Sequence, residues 1–120
     1  MKLRIKGNTI RIRMNEAEVK LLAQGTPVTE ETQFPSSTLI CKVQPSVSEV
    51  VDFNDNEVQI NLTQDEIDLW AMTEEVTISK EIAIPNDNIL SILVEKDFKC
   101  LTVRPEDESE LYPNPNKHHG

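Results

Sequence analysis

The sequence predicts an α+β domain built from two similar units, each with the order strand–strand–helix–strand–strand. Two stretches match at a fixed offset of 48 positions: residues 8–22, NTIRIRMNEAEVKLL, and residues 56–70, NEVQINLTQDEIDLW. In both, strand-like alternation leads into a helix-capping signal. Apolar residues fall on apolar residues, which is typical of an internal duplication. We therefore expect pseudo-repeats over residues 1–44 and 48–94, whose mostly antiparallel strands form a barrel or sandwich with two helices.

The first unit opens with a hairpin. Apolar and basic residues alternate over residues 2–6 and 10–14, and Gly7-Asn8 between them suits a two-residue turn. Asn15 then caps a helix over residues 16–24, with Glu18 at the capping-box position. The rest of the unit is an extended segment over residues 27–34, a turn at residues 35–37 and a strand over residues 38–43.

The second unit repeats this order. Its hairpin spans residues 50–62, and Thr63 caps a helix over residues 64–72 in which Trp70 replaces the first unit's Leu22, so we expect Trp70 to be buried. Residues 76–84 form a strand whose alternation breaks at residues 79–81, which predicts a bulge. Residues 89–94, ILSILV, are apolar on both faces and are expected in the middle of a sheet. The matching extends Val28 onto Val76.

Length and charge bound the function. With 120 residues, one domain is expected; we assign residues 1–105 to it and residues 106–120 to a flexible acidic C-terminal tail. The net charge is −9, although residues 1–24 carry +4. This acidic total disfavours binding to nucleic acid or to a membrane surface. No run approaches the about 20 apolar residues of a membrane span, and no secretory signal opens the chain. We therefore expect a cytoplasmic location.

The basic residues of the first hairpin are the candidate ligand-binding site. Alternation places five cations on one strand face: Lys2, Arg4, Lys6, Arg11 and Arg13. Converging in a barrel mouth, Arg4, Lys6, Arg11 and Arg13 could hold a phosphate or carboxylate group. The alternative is a solvated face neutralised by cross-strand carboxylates such as Glu30, Glu31 or Asp52.

Other chemistry-bearing residues form no recognisable catalytic or metal site. Glu95, Lys96, Asp97 and Lys99 alternate in sign, which is typical of a solvated strand end. The weak metal candidates are Cys100, His118 and His119, with Cys41, but their spacing does not match a zinc site. The two cysteines predict reduced thiols. Phosphate-binding and dinucleotide-binding glycine loops are absent from the sequence, so no cofactor is expected.

Both ends of the chain resemble a known family. The opening MKLRIKGNTIRIRM and the run LVEKDFKCL, followed by RPEDE and YPNP, are similar to a small family of bacterial proteins of unknown function. That family has an N-terminal K-G-N-[S/T]-[I/L]-R-[I/L]-R hairpin and a C-terminal V-E-K-D-F-x-C-L tail. The resemblance covers nearly the whole chain and implies a bacterial, cytoplasmic protein. It implies no activity, substrate or catalytic residue.

Two functions follow from these residues. The first is a non-catalytic binding or interaction module whose partner is another protein or a second copy of the chain. The alternative is an anion-binding or phosphate-binding barrel, with or without a hydrolase activity, that uses the basic hairpin. The two differ in where Arg4, Arg11 and Arg13 point: an enclosed cavity favours the barrel, whereas open solvent favours the interaction module.

Overall fold

A computed structural model describes residues 1–98 of the chain. It contains two helices and eight strands: β1 (Lys2–Lys6), β2 (Thr9–Met14), α1 (Glu16–Ala23), β3 (Val28–Gln33), β4 (Thr38–Pro45), β5 (Val51–Asn54), β6 (Glu57–Leu62), α2 (Gln64–Met72), β7 (Thr77–Ile84) and β8 (Asn88–Lys96). The predicted α+β class and element order are confirmed. The predicted domain boundary at residue 105 and the tail beyond it lie outside the described residues and stay predictions.

Short polar turns close the predicted hairpins. Gly7, between β1 and β2, has φ of 55°. Asp55 and Asn56, between β5 and β6, have φ of 51° and 64°, a region that Asn and Asp tolerate better than most residues. Asn86 and Asp87 do the same between β7 and β8. Turn chemistry therefore fixes these three hairpins locally.

Both helices begin with a capping box, as predicted. In α1, the Glu18 N–H donates to Asn15 Oδ1 at 2.8 Å, and the Asn15 N–H donates back to Glu18 Oε1 at 3.0 Å. In α2, Thr63 and Glu66 exchange the same pair of bonds at 3.2 and 2.8 Å. Each box satisfies two N–H groups that the first helical turn cannot pair.

The strands form two separate four-stranded sheets. One has the order β1-β2-β8-β7 and the other β3-β4-β6-β5. Hairpin partners pair antiparallel, but the central pairs, β2 with β8 and β4 with β6, are parallel. Each sheet thus combines one hairpin from each half of the sequence. The predicted barrel alternative is wrong, because the sheets do not close and, among residues 1–98, β1, β3, β5 and β7 are edge strands.

The pairing corrects two details of the sequence interpretation. The β7–β8 register is continuous from Thr77 to Ile84, so the predicted bulge is wrong. Alternation appears to break there only because Lys80 occupies an inward-side position, where it forms ion pairs. The pairing also sets Val28 opposite Val43 and Ile78 opposite Val94, with all four side chains buried, whereas Val76 precedes β7 and is exposed; Ile78 rather than Val76 is therefore the buried residue at the start of this hairpin.

One apolar core is shared by both sheets and both helices. The predicted central position of the ILSILV strand is confirmed, since β8 lies between β2 and β7. The predicted burial of Trp70 is also confirmed: its side chain is 1% exposed and its Nε1–H donates to the Val76 carbonyl at 2.8 Å. Gln64 links the helices by donating to the carbonyls of Leu22 and Ala23 at the end of α1. The core therefore holds the two hairpins of each sheet in a fixed relation.

Candidate functional site

The first hairpin carries a continuous row of positive charge, which we call the basic face: Lys2, Arg4 and Lys6 on β1, and Arg11 and Arg13 on β2. Cross-strand pairing sets Lys2 opposite Arg13 and Arg4 opposite Arg11. Successive side chains of a strand point to opposite faces, and Ile12 and Met14, which alternate with the arginines on β2, are fully buried. The basic side chains therefore lie on the face opposite the core. Like charges directly opposite one another are unfavourable, so the row needs counter-charges.

Two carboxylates from the C-terminal part of the described chain neutralise one side of the basic face. Glu95 lies opposite Arg13 on the parallel strand β8, and its oxygens are 3.5 Å from Arg13 Nε and 3.7 Å from Arg11 Nε. Its side chain is 17% exposed, so this charge is largely enclosed between the arginines. Asp97 Oδ2 lies 3.1 Å from Lys2 Nζ. Three cations therefore share two carboxylates.

Arg4 and Lys6 differ from the other three cations. Both are exposed, and within residues 1–98 no carboxylate lies within 4 Å of either side chain. They occupy the edge strand of the sheet, on the side away from Glu95. Within residues 1–98, the basic face thus ends in two cations that have no carboxylate partner.

The basic face lines two half-open grooves. One groove of about 180 Å³ is bounded by Lys2, Leu3, Arg4, Arg11 and Arg13. Another of about 240 Å³ is bounded by Arg4, Lys6, Thr9 and Arg11. Both grooves are partly open to solvent, and the sheets formed by residues 1–98 do not close into a barrel mouth. The four predicted residues therefore lie together, but on an open sheet face.

The neutralising carboxylates predicted from sequence are wrong. Glu30, Glu31 and Asp52 belong to β3 and β5 of the other sheet, whereas Glu95 and Asp97 pair with the cations. The sequence shows Glu95 and Asp97 as alternating charges beyond an apolar strand, but it does not show which strand lies beside them. The signal that was missed is the parallel pairing of β8 with β2, which joins residues more than 80 positions apart.

The matching face of the second sheet has the opposite character. On β5 and β6, Asp52 and Gln59 occupy the cross-strand pair that corresponds to Arg4 and Arg11. Beside them, Lys42 Nζ lies 3.6 Å from Glu57, and Gln44 donates to Asn61 at 2.9 Å. The same backbone arrangement therefore carries a polar, weakly acidic face, and the fold itself does not require cations at this place.

A partly buried ion pair cluster joins α2 to β7. Lys80 Nζ lies 3.1 Å from Glu66 and also contacts Glu49, with its side chain 13% exposed. Burial alone would lower the pKa of Lys80, but its hydrogen bonds to Glu49 and Glu66 raise that pKa above its ordinary value. Because Glu66 also caps α2, this cluster holds the helix against the sheet. Its charged groups are paired with one another, so we assign it a structural role.

The amine of Met1 forms the matching cluster at α1. It lies 2.6 Å from Glu18, the capping residue of that helix, and 3.5 Å from Glu30. Burial would lower the pKa of the Met1 amine, and the two carboxylates raise it above its ordinary value. Here the cation precedes β1 and the second carboxylate lies on β3, whereas in the other cluster the cation, Lys80, lies on β7 and the second carboxylate, Glu49, precedes β5.

The remaining sequence candidates give no reactive site within the described part of the chain. Cys41 is buried, and burial, with a smaller contribution from Glu30, raises the pKa of its thiol to about 11. Lys96 Nζ donates to the Thr73 carbonyl at 2.8 Å. Among residues 1–98, no group of three or more His, Cys, Asp or Glu side chains could hold a metal ion. The other candidates, Lys99, Cys100, His118 and His119, lie outside the described residues.

A family model matches residues 1–116, and its description is a family of unknown function, DUF7009. The chain belongs to this family. The expected resemblance to a family of unknown function is thereby confirmed, and DUF7009 membership brings no activity or ligand with it. A search of curated proteins found no match. No helix in the described part of this DUF7009 chain is long and apolar enough to cross a membrane.

Proposed function

We propose that the protein is a non-catalytic interaction module whose basic face binds an extended, acidic segment of a protein partner. The observation that carries this proposal is the position of Arg4 and Lys6, two exposed cations without a carboxylate partner among residues 1–98. Opposing like charges are a cost to the folded chain. A partner that brings carboxylates to this face removes that cost.

The spacing of the cations fits an extended peptide. Arg4 and Lys6 lie two residues apart on one strand face, so their backbone positions are about 6.6–6.8 Å apart. An extended partner chain has the same two-residue repeat, so alternate Glu or Asp side chains meet successive cations. Arg4 and Arg11 border both grooves and can each offer the paired N–H groups that recognise a carboxylate.

The alternative classes fit this face less well. A phosphate hydrolase needs cations and metal-binding carboxylates around an enclosed substrate, whereas here the sheets are open and both carboxylates beside the cations are already paired with them. The net charge of −9 opposes long-range attraction of nucleic acid. An acidic peptide needs only the local positive surface. The proposed role of this surface is to bind the peptide, without a chemical step.

The proposal is tested with a synthetic ten-residue peptide of alternating Glu and Ser, labelled for fluorescence anisotropy. Binding should be measurable at low salt and should weaken as salt is raised, because exposed charges are screened. Arg4→Gln combined with Lys6→Gln should weaken it about 2- to 30-fold, the effect of losing two exposed pairs. Lys20→Gln with Lys42→Gln is the matched control, because it removes the same charge away from the basic face and should leave affinity within twofold.

Two further arms identify the ligand class. The same peptide with Gln in place of Glu should not bind. Inorganic phosphate and tripolyphosphate should not displace the acidic peptide at equal charge concentration. Equal loss of affinity in the two double variants would refute the proposal, since net charge alone would then explain binding. Displacement by phosphate at low concentration would replace the peptide with a small anion as the ligand.

A further inference from the structure

Charge on the basic face is unevenly compensated. Five cations have two carboxylates, Glu95 and Asp97, within 4 Å among residues 1–98, which leaves a surplus of three positive charges. The surplus lies toward β1, where Arg4 and Lys6 are exposed. A segment of the same chain that neutralises this side of the sheet therefore needs about three carboxylates.

The chain leaves the described fold beside this surface. Strand β8 ends at Lys96, and the next residue, Asp97, donates its N–H to the Met14 carbonyl at the end of β2 while its carboxylate pairs with Lys2. Phe98 is exposed. The last described residues thus already lie at one end of the basic face, and the chain continues from there.

The sequence that follows carries the charge that the surface lacks. Residues 106–110, EDESE, place four carboxylates in five positions. Glu106 is eight residues beyond Phe98, a length of chain that can span about 26–29 Å when extended. Lys6 lies about 13 Å along β1 from Lys2 and two strand spacings, about 10 Å, from β8. The acidic segment can therefore reach every cation of the basic face.

We infer that residues 106–110 of the chain's own C-terminal segment cover the basic face when no partner is bound. The regulatory consequence of this inference rests on the proposed function: the segment competes with an acidic partner for Arg4 and Lys6. A tethered segment acts at an effective concentration in the millimolar range, so even weak charge pairing keeps it in place. Partner affinity is lowered in proportion to the fraction of covered molecules.

Proximity is measured in the full-length protein with a spin label at position 109. Ser109→Cys is combined with Cys100→Ser, and the remaining Cys41 is buried and does not take the label. Backbone amide signals of residues 2–13 in ¹⁵N-labelled protein should be broadened by the label at low salt. The broadening should fade at 1 M salt, where the Debye length is about 3 Å and exposed charges further apart are screened. Unbroadened signals for residues 2–13 at low salt would overturn the inference.

A tail-neutralised variant tests the charge dependence: Glu106→Gln, Asp107→Asn, Glu108→Gln and Glu110→Gln, made together. It should lose the broadening and bind the alternating Glu-Ser peptide at least threefold more tightly than the unmodified chain. The control removes four exposed acids elsewhere and should do neither: Glu31→Gln, Asp52→Asn, Glu74→Gln and Glu75→Gln. Broadening that persists after tail neutralisation would contradict charge pairing.

The outcomes separate this inference from the proposed function. Peptide binding without broadening overturns the inference and leaves the proposed function standing. Broadening without peptide binding, even in the tail-neutralised variant, supports the inference and overturns the proposed function. A mixture of spin-labelled ¹⁴N protein with unlabelled ¹⁵N protein tests for contact between copies. Broadening in that mixture equal to that within one chain would show an intermolecular contact and overturn the inference as well.

Discussion

Arg4 lies directly opposite Arg11 across the β1–β2 hairpin, with both side chains on the face away from the core. Arg11 is compensated by Glu95, whereas Arg4 has no carboxylate within 4 Å in residues 1–98. The corresponding cross-strand pair in the other sheet is Asp52 with Gln59, so the backbone tolerates other charges here. An arrangement that costs stability and that the fold does not require points to a ligand, which is the basis of the proposed function.

The first prediction concerns this pair. Made in the tail-neutralised variant, where residues 106–110 no longer pair with the basic face, Arg4→Gln should raise the free energy of unfolding by about 0.2–1 kcal/mol, because it relieves a like-charge cross-strand contact. Arg13→Gln is the comparison: it removes one of the two cations beside Glu95 and should lower the free energy of unfolding by up to about 1 kcal/mol. Urea denaturation at low salt measures both. A loss of stability in Arg4→Gln as large as that in Arg13→Gln would mean that Arg4 has a structural partner.

A second prediction concerns Trp70. Trp70→Ala should lower the free energy of unfolding by about 3–5 kcal/mol, because it empties a fully buried site between α2 and the sheets. Trp70→Phe keeps most of the volume but loses the bond to the Val76 carbonyl, so its cost should be clearly smaller, at about 1–3 kcal/mol. Equal costs for the two substitutions would show that the indole bond, rather than packing, dominates.

A third prediction concerns Lys80. Lys80→Gln should lower the free energy of unfolding at neutral pH by about 1–3 kcal/mol, because Glu66 and Glu49 lose their shared cation. Burial lowers the pKa of Lys80, but these carboxylates raise it above the ordinary 10.5 in the folded chain. The stabilisation is therefore fully present below pH 10.5 and is lost as pH rises through the higher folded pKa.

Chemical or thermal unfolding from pH 7 to 12 checks this dependence. The difference between the unmodified chain and Lys80→Gln should stay constant up to pH 10.5 and then shrink. Lys20→Gln, on the exposed side of α1, should change stability by no more than about 0.5 kcal/mol. A difference for Lys80→Gln that grows above pH 10.5 would contradict the ion-pair cluster.

A fourth prediction concerns the Cys41 thiol. With its pKa raised to about 11 by burial, about one thiol in a thousand is ionised at pH 8. In the Cys100→Ser variant, the native protein should therefore react with a disulfide reagent orders of magnitude more slowly than the protein unfolded in urea. Rapid and complete reaction of the native protein would place Cys41 on an accessible surface.

Local elements were predictable because each has its own sequence signal. The capping boxes at Asn15 and Thr63 set both helix starts, and the turn residues set the hairpins. The way hairpins combine was not predictable, because β8 is apolar on both faces and periodicity cannot tell which strand lies beside it. The two sheets have matching strand orders, as a duplicated sequence predicts, but the internal repeat itself stays a prediction.

The candidate site was predictable in part. Alternation alone places Arg4, Lys6, Arg11 and Arg13 on one face, and the strand pairing brings them together. Their counter-charges depend on the parallel pairing of β2 with β8, so sequence reasoning chose the wrong carboxylates and left a barrel open as an alternative. The bacterial and cytoplasmic assignments rest on the sequence alone and stay predictions.

The central claim is that the basic face is a docking surface for acidic peptide. Its most direct test is a ¹⁵N chemical-shift titration of the full chain with the alternating Glu-Ser peptide at low salt. We predict saturable shifts confined to residues 2–13 and to the β8 residues beside them, which weaken in Arg4→Gln with Lys6→Gln. Absence of saturable shifts in the tail-neutralised variant, or shifts centred on the β5–β6 face around Asp52, would contradict it.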